Sequence, residues 1–197
     1  MSEEPLVGDL EDVPTWEDEY LDRVSDRLLH NYDLEKDVSV HGERFDLAGE
    51  MRIENEKHFF HPSLNYANHE SREYLYARRQ DAVTVADLER LVDLGHDVAE
   101  ERVELRDEHF STDVSIAIVV PEVPDDVAAF VDSFSDRNLL RFGFNGHYEI
   151  NLVVVAPEQK DLHGSENADV KIAFRTWERI EEEEPGLWDL ITRRMQI

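Results

Sequence analysis

Apolar residues recur along this chain in two periods, and the switches between them outline its elements. Trp16, Tyr20, Val24 and Leu28 return every four residues after Pro14-Thr15. Glu17, Asp18 and Glu19 fall in the first turn, where the helix dipole favours anions, so a helix is predicted over about 16–31. The period then drops to two. Val38 and Val40 alternate with polar neighbours, and His41-Gly42-Glu43 reads as a turn. Phe45, Leu47, Gly49, Met51 and Ile53 then alternate with Asp46, Ala48, Glu50, Arg52 and Glu54, the pattern of a half-buried strand. His58-Phe59-Phe60 starts a third strand, interrupted by HPSLNYANHES, and REYLYAR (72–78) has the aromatic content of a fourth.

The second helix is marked from both sides. Thr84 suits an N-cap, and Val85, Leu88, Leu91, Val92, Val98, Ala99 and Val103 form a stripe near period 3.6. Gly95 in its middle costs about 1 kcal/mol relative to Ala. DVSIAIVV (113–120) is a short continuous apolar run, as in a strand covered on both faces. A short helix is expected at about 126–135, with Val127, Phe130, Val131 and Phe134 on one side. In LLRFGFNGHYEINLVVVA, two alternating runs flank Asn145-Gly146, a strong signal for a two-residue hairpin. A polar loop (157–169) follows, and VKIAF (170–174) reads as a last strand. This order predicts an α+β fold, a mixed, largely antiparallel sheet with two to three helices packed on it. Residues 1–13 read as a flexible acidic leader, and 14–197 as a single α+β domain with a C-terminal helical appendage.

Composition changes this picture mainly through charge. Forty-seven acidic residues against twenty basic ones give a net charge of −27. Only four of the basic residues are lysines: Lys36, Lys57, Lys160 and Lys171. Acidic surplus with scarce lysine resembles the cytoplasmic proteins of salt-in halophilic archaea, whose dense carboxylates keep the surface hydrated. A cytoplasmic location is the expectation, since the start of the chain lacks the basic and apolar segments of a signal peptide. No run of about 18 apolar residues is present to cross a membrane. The charge argues against nucleic acid, because phosphate contacts dominate that affinity, but in a halophile the solvent sets net charge and the argument weakens. The absence of cysteine excludes disulfides, thiolate metal sites and a cysteine nucleophile. No nucleophile elbow, dinucleotide fingerprint or P-loop is present.

Two groups of residues carry candidate chemistry. EKHFFHPSLNYANHESREYLY (56–76) holds His58, His61 and His69, with Glu70 beside the last. Imidazole and carboxylate suit zinc or manganese. The spacing is poor: on a strand His58 and His61 point to opposite faces, and Pro62 disfavours the helix that would unite them. A solvated loop is the plainer reading. The second group is Asp46, Glu56 and Lys57. The order helix–strand–strand–strand–helix–strand resembles the restriction-endonuclease-like core, which implies an Asp followed by Glu/Asp-x-Lys on the next strand, holding Mg²⁺ and orienting water. Here Glu56 directly precedes Lys57, Asn55 stands where the second carboxylate belongs, and Glu54 is three back. As a plainer reading, Asp46, Glu50 and Glu54 are the polar face of an alternating strand.

Two further features have interaction readings. Tyr66, Tyr74, Tyr76, Phe142, Phe144 and Tyr148 are suited to stacking bases, with Arg72, Arg78, Arg79 and Arg141 nearby for phosphates. Core packing, with ion pairing to the many carboxylates, is the plainer reading. The end of the chain, 187–197, is amphipathic and suits a protein partner or a homodimer, or docking on its own sheet.

FDLAGEMRIENEKHFF, with SREYLYAR and LLRFGFNGHYEINLVVV, resembles an uncharacterised domain family of haloarchaea and some anaerobic bacteria. The resemblance spans about 15–175 and implies no known activity, so it transfers no catalytic residue. The reading is a non-enzymatic binding or accessory module without a cofactor, with a Mg²⁺-dependent nuclease as the enzyme alternative.

Overall fold

The computed structural model describes residues 14–55, 69–103, 109–143 and 146–178. Helix α1 (Glu19–Leu28) leads into a meander of β1 (Asp33–Val40), β2 (Glu43–Asn55) and β3 (His69–Arg79). Helix α2 (Val85–Arg102) crosses to β4 (His109–Val119), and α3 (Asp125–Ser133) leads to β5 (Asp136–Leu139) and β6 (His147–Ala156). β7 (Asp161–Gly164) and the single helical turn α4 (Lys171–Phe174) follow. The sheet order is β1-β2-β3-β4-β6-β5, with β7 also on β6. β3, β4 and β6 are mutually parallel, and the other four pairings are antiparallel. The mixed, largely antiparallel α+β sheet is therefore as expected.

Alternation on the three parallel strands sorts side chains onto two cores. Tyr74, Tyr76, Val114, Ile116, Ile118, Ile150, Leu152 and Val154 face α2 and α3. Leu75, Ala77, Ala117, Val119, Val153 and Val155 face α1, Tyr32 and the segment Ala168–Phe174. β4 has helical cover on both faces, which is why its sequence is a continuous apolar run. Thr84 caps α2, and Asp87 returns the hydrogen bond to complete a capping box. Gly95 is explained by packing: a Cβ there would stand 3.0 Å from Ile150 Cγ2 and 3.2 Å from Ile150 Cδ1. Its helix cost is offset by a close approach of α2 to the sheet. Gly95→Leu is therefore expected to destabilise by about 1–3 kcal/mol through overpacking. Gly95→Ala is expected to be nearly neutral, because the gain of about 1 kcal/mol in helix propensity opposes the crowding. Thermal denaturation of the two variants in molar KCl checks this, and equal losses would refute the packing account.

Four sequence expectations are corrected. α1 is shorter than 16–31, because Asp18 caps it through the backbone N–H groups of Tyr20 and Leu21. Phe45 and Leu47 join opposite cores, because β2 loses its regular alternation where its pairing with β1 skips Asp37 and Asp46. Asp37 there has φ +54°. VKIAF is not a strand. Its five residues are too few to distinguish the two periods, and tertiary capping selects a helical turn. Tyr20 Oη donates to Phe174 O at 2.7 Å. The Arg27 guanidinium donates to Ile172 O, Arg175 O, Thr176 O and Glu178 O, collecting carbonyls at the end of that turn. Asn145-Gly146 is not a two-residue hairpin either. β5 stops at Leu139 opposite His147, and a 3-10 turn over Leu140–Gly143 widens the loop. The tight hairpin is His41-Gly42, both at positive φ, between the paired Val40 and Glu43.

Candidate functional site

The face toward α1 divides in two. Along β3, β4 and β6 its second half is apolar up to Arg79 at the end of β3, but its first half is polar. Ser71 and Glu73 come from β3, Ser111, Asp113 and Ser115 from β4, and His147, Glu149 and Asn151 from β6. The register aligns them in rows: Ser71, Ser111 and His147; Glu73, Asp113 and Glu149; then Leu75, Ser115 and Asn151. Three carboxylates thus stand side by side on neighbouring strands, about 4.8 Å apart at their backbones. Glu149 is 2 % exposed, and Glu73, Ser115 and Asn151 are also buried.

Burial of such groups requires hydrogen bonds or opposite charge. Ser115 Oγ donates to Glu73 at 2.8 Å, and Ser111 Oγ donates to Ser71 at 3.0 Å. Asn167 Nδ2 donates to Glu149 at 3.0 Å. Arg137, opposite Glu149 on β5, brings its Nε to 3.4 Å from that carboxylate. His147 Nε2 lies at the same distance, 3.4 Å. Tyr32 packs over the row. Its hydroxyl is buried and makes no hydrogen bond among the described residues. Burial, then the charges of Glu73, Asp113 and Asp169, hold its pKa well above the ordinary phenol value, so the hydroxyl keeps its proton. The Glu73 carboxylate approaches the hydroxyl closely and adds to that effect.

The row reaches the surface at one edge. β5 and β7 both pair with β6 along the same side, β5 over His147–Ile150 and β7 over Val153–Ala156. Between them Ser165 substitutes for a strand: Leu152 N donates to Ser165 Oγ at 3.1 Å, and Ser165 N donates to Leu152 O at 2.9 Å. A small cleft opens at this break, with Glu149, Ile150 and Asn151 on one side. Phe134, Ser135 and Asp136 form its second wall, and Ser165, Glu166 and Asn167 its third.

A second polar set lies on the opposite face of the same ladder. His96 of α2 places Nδ1 3.1 Å from Tyr148 Oη and Nε2 3.1 Å from Asp136 Oδ2. Asp136 thus fixes the ring and also lines the cleft. Burial, with Asp136 and Glu100 adding to it, raises the Tyr148 pKa. A protonated phenol is a hydrogen-bond donor and a poor nucleophile, so the set orients a donor and does not activate an attacking oxygen.

Tyr148 is among the aromatics singled out from sequence, and the described candidates for metal and nuclease chemistry lie elsewhere. Asp46 is near the start of β2, and its carboxylate accepts the Arg79 backbone N–H at 2.7 Å. Glu56 and Lys57 lie outside the described residues. Asn55, just before them, is the far end of the same strand. Nine residues of strand span about 30 Å, so nothing described brings Asp46 toward Glu56 and Lys57. His58 and His61 also lie outside the described residues. His69 and Glu70 open β3, where a register irregularity separates Glu70 from Ser71. Among the described residues no three histidine or carboxylate groups converge as metal ligands. Tyr74 and Tyr76 are buried in the core, Arg78 pairs with Glu43, and Arg79 pairs with Asp18. Segment 187–197 lies outside the described residues, and no described helix is long and apolar enough to cross a membrane.

Sequence reasoning passed over the polar rows because each strand was read by its apolar residues. The signal was present as polar residues at alternate positions within strands otherwise apolar: Asp113 and Ser115, then His147, Glu149 and Asn151. Residues 17–176 match the model of a family described as a domain of unknown function, DUF8052. This supports the resemblance to an uncharacterised domain family. No curated protein and no solved structure matches the chain.

Proposed function

We propose, for a chain that belongs to the DUF8052 family, a salt-adapted cytoplasmic binding module that holds a small polar ligand in the cleft between β5 and β7. The observation that carries this reading is the polar half-face of the sheet, which meets the surface at that cleft through Glu149 and Asn151. A sheet face covered by helices stabilises most when it is apolar, and the other half of this face is apolar except for Arg79 at the end of β3. Keeping Glu73, Glu149 and Asn151 buried costs stability relative to an apolar face, and recognition of a polar molecule gives that cost a use. The −27 charge and scarcity of lysine support salt adaptation.

The test is a fragment screen in molar KCl, read by amide chemical shifts. Polar fragments are expected to perturb resonances of residues 134–136, 149–151 and 165–167 together. A ligand at a hundredfold its Kd adds about 2.7 kcal/mol to stability. Ser135 is exposed at the rim, so Ser135→Trp fills the cleft from its rim and is expected to abolish these shifts. Fragments that perturb other regions only, or bind Ser135→Trp equally, would overturn the proposal.

A further inference from the structure

Two walls of the cleft come from separate segments, and a histidine joins them. We infer that His163 is a proton-dependent clamp on the cleft. With both ring nitrogens protonated it draws the second and third walls together, and with one proton lost it releases them. The inference rests on the cleft reading and adds the regulation of that site.

The His163 ring sits between two carboxylates from different elements. Its Nδ1 lies 2.9 Å from Asp132 Oδ2 of α3, and its Nε2 lies 3.2 Å from Asp161 Oδ1 of β7. An ionised carboxylate only accepts, so each ring nitrogen needs its own proton. Neutral imidazole has one N–H and imidazolium has two. The charged ring therefore serves both carboxylates, whereas the neutral ring serves one and turns a lone pair on the other. The two contacts lie at opposite ends of the ring, so they do not converge on a shared metal ion. Two other histidines show the contrast. His96 meets Asp136 and the Tyr148 hydroxyl, and a hydroxyl serves either ring state because it donates or accepts. Nδ1 of His147 faces Arg137 Nη2 at 3.4 Å, a group that only donates, and its Nε2 faces Glu149, so its neutral ring serves both partners.

Position gives the His163 contact its consequence. Asp132 stands two residues before Phe134, where the second wall begins, and His163 stands two residues before Ser165, where the third begins. The pair thus crosses from one wall to the other. The Asp132 side chain is 55 % exposed, so on release its carboxylate passes to water and no charge is left buried. Other charged groups are close. Lys171 of α4 packs its stem against Gly164 and is near enough to Asp132 to feel its charge. Its ammonium is already committed to Ser165 O and Glu166 O, so it does not replace the ring proton. The turn before β7 carries Glu158 and Lys160, and Val154, the register partner of His163 on β6, adds no charge.

Amide chemical shifts of the ligand-free full chain in molar KCl test the clamp, followed from about pH 5.5 to 8, where histidine changes charge. Both contacts are comparable in length to the Debye length of about 3 Å at that salt, so screening does not remove them. Resonances of residues 165–167 are expected to move with the His163 ring carbons on one titration curve. His163→Gln is expected to flatten that curve with the fold intact by circular dichroism. His96→Gln is expected to leave it, although it alters the shifts of Asp136. Fragments that occupy the cleft are expected to bind at least threefold more tightly at about pH 5.5 than at 8, and that ratio is expected to fall to near one in His163→Gln. A flat curve in the native chain, or a curve unchanged in His163→Gln, overturns the clamp. If fragments perturb the cleft with equal affinity at both pH values, the regulation fails and the cleft reading stands. If no fragment perturbs the cleft at either pH, the cleft reading fails, and the ligand-free curve still decides whether the clamp exists.

Discussion

Transfer from molar KCl to about 0.1 M is expected to abolish the cooperative unfolding transition of this protein, with loss of far-ultraviolet circular dichroism. The cause is the imbalance of 47 acidic residues against 20 basic ones. At 1 M ionic strength the Debye length is about 3 Å, shorter than most separations between surface charges, and at 0.1 M it is about 10 Å. Repulsion among neighbouring carboxylates therefore returns as salt falls. Net stability of a domain is only about 5–15 kcal/mol, so a repulsion of that order suffices to unfold it. Surface ion pairs such as Arg23–Glu19 cannot compensate, because exposed pairs contribute about 0–1 kcal/mol each. A sucrose series at 0.1 M KCl separates screening from burial, since sucrose strengthens effective burial without screening charge. Denaturation midpoints that agree at both salt concentrations would refute salt adaptation. Full rescue by sucrose would assign the effect to burial.

Gly146→Ala is the substitution with the largest expected effect on the fold. Gly146 has φ +74°, where an L residue is strained. A Cβ there would also stand 2.0 Å from Phe110 O, a backbone atom of β4 that cannot move without disturbing the sheet. Strain and displacement together are expected to cost about 2–4 kcal/mol, or a fall in Tm of about 4–16 °C for a chain of this size. Gly42→Ala is the control. Gly42 has φ +84° but open space where its Cβ would go, so only the conformational cost of about 1–2 kcal/mol applies. Urea denaturation of both variants in molar KCl gives the comparison. If Gly146→Ala costs no more than Gly42→Ala, the close approach to Phe110 is not a constraint on the fold. Because Gly146 precedes the strand carrying His147, Glu149 and Asn151, its substitution is also expected to weaken any ligand bound at the cleft.

The two glycine turns show how local signals and packing divide the work. Asn145-Gly146 has the composition of a tight hairpin, yet Gly146 serves an approach to β4, a strand that begins 37 residues earlier. His41-Gly42 has the weaker turn signature and makes the tight hairpin. A dipeptide states which backbone angles are easy. It does not state which distant backbone will lie against it.

The sequence by itself determined the elements whose information is local. Period 3.6 behind a capping threonine set α2, period 2 set the first two strands, and an unbroken apolar run marked β4 as covered on both faces. It also determined the acidic balance and the absence of cysteine chemistry. Tertiary structure alone decided that VKIAF is a helical turn held by Tyr20 and Arg27, and that Ser165 fills the gap between β5 and β7. It alone aligned Glu73, Asp113 and Glu149, residues 40 and 36 positions apart in the chain. The physical reason is the same in each case. Periodicity reports which face of an element avoids water, whereas the register of non-consecutive strands depends on contacts between residues far apart in sequence, and a site assembled across three strands exists only once that register is set.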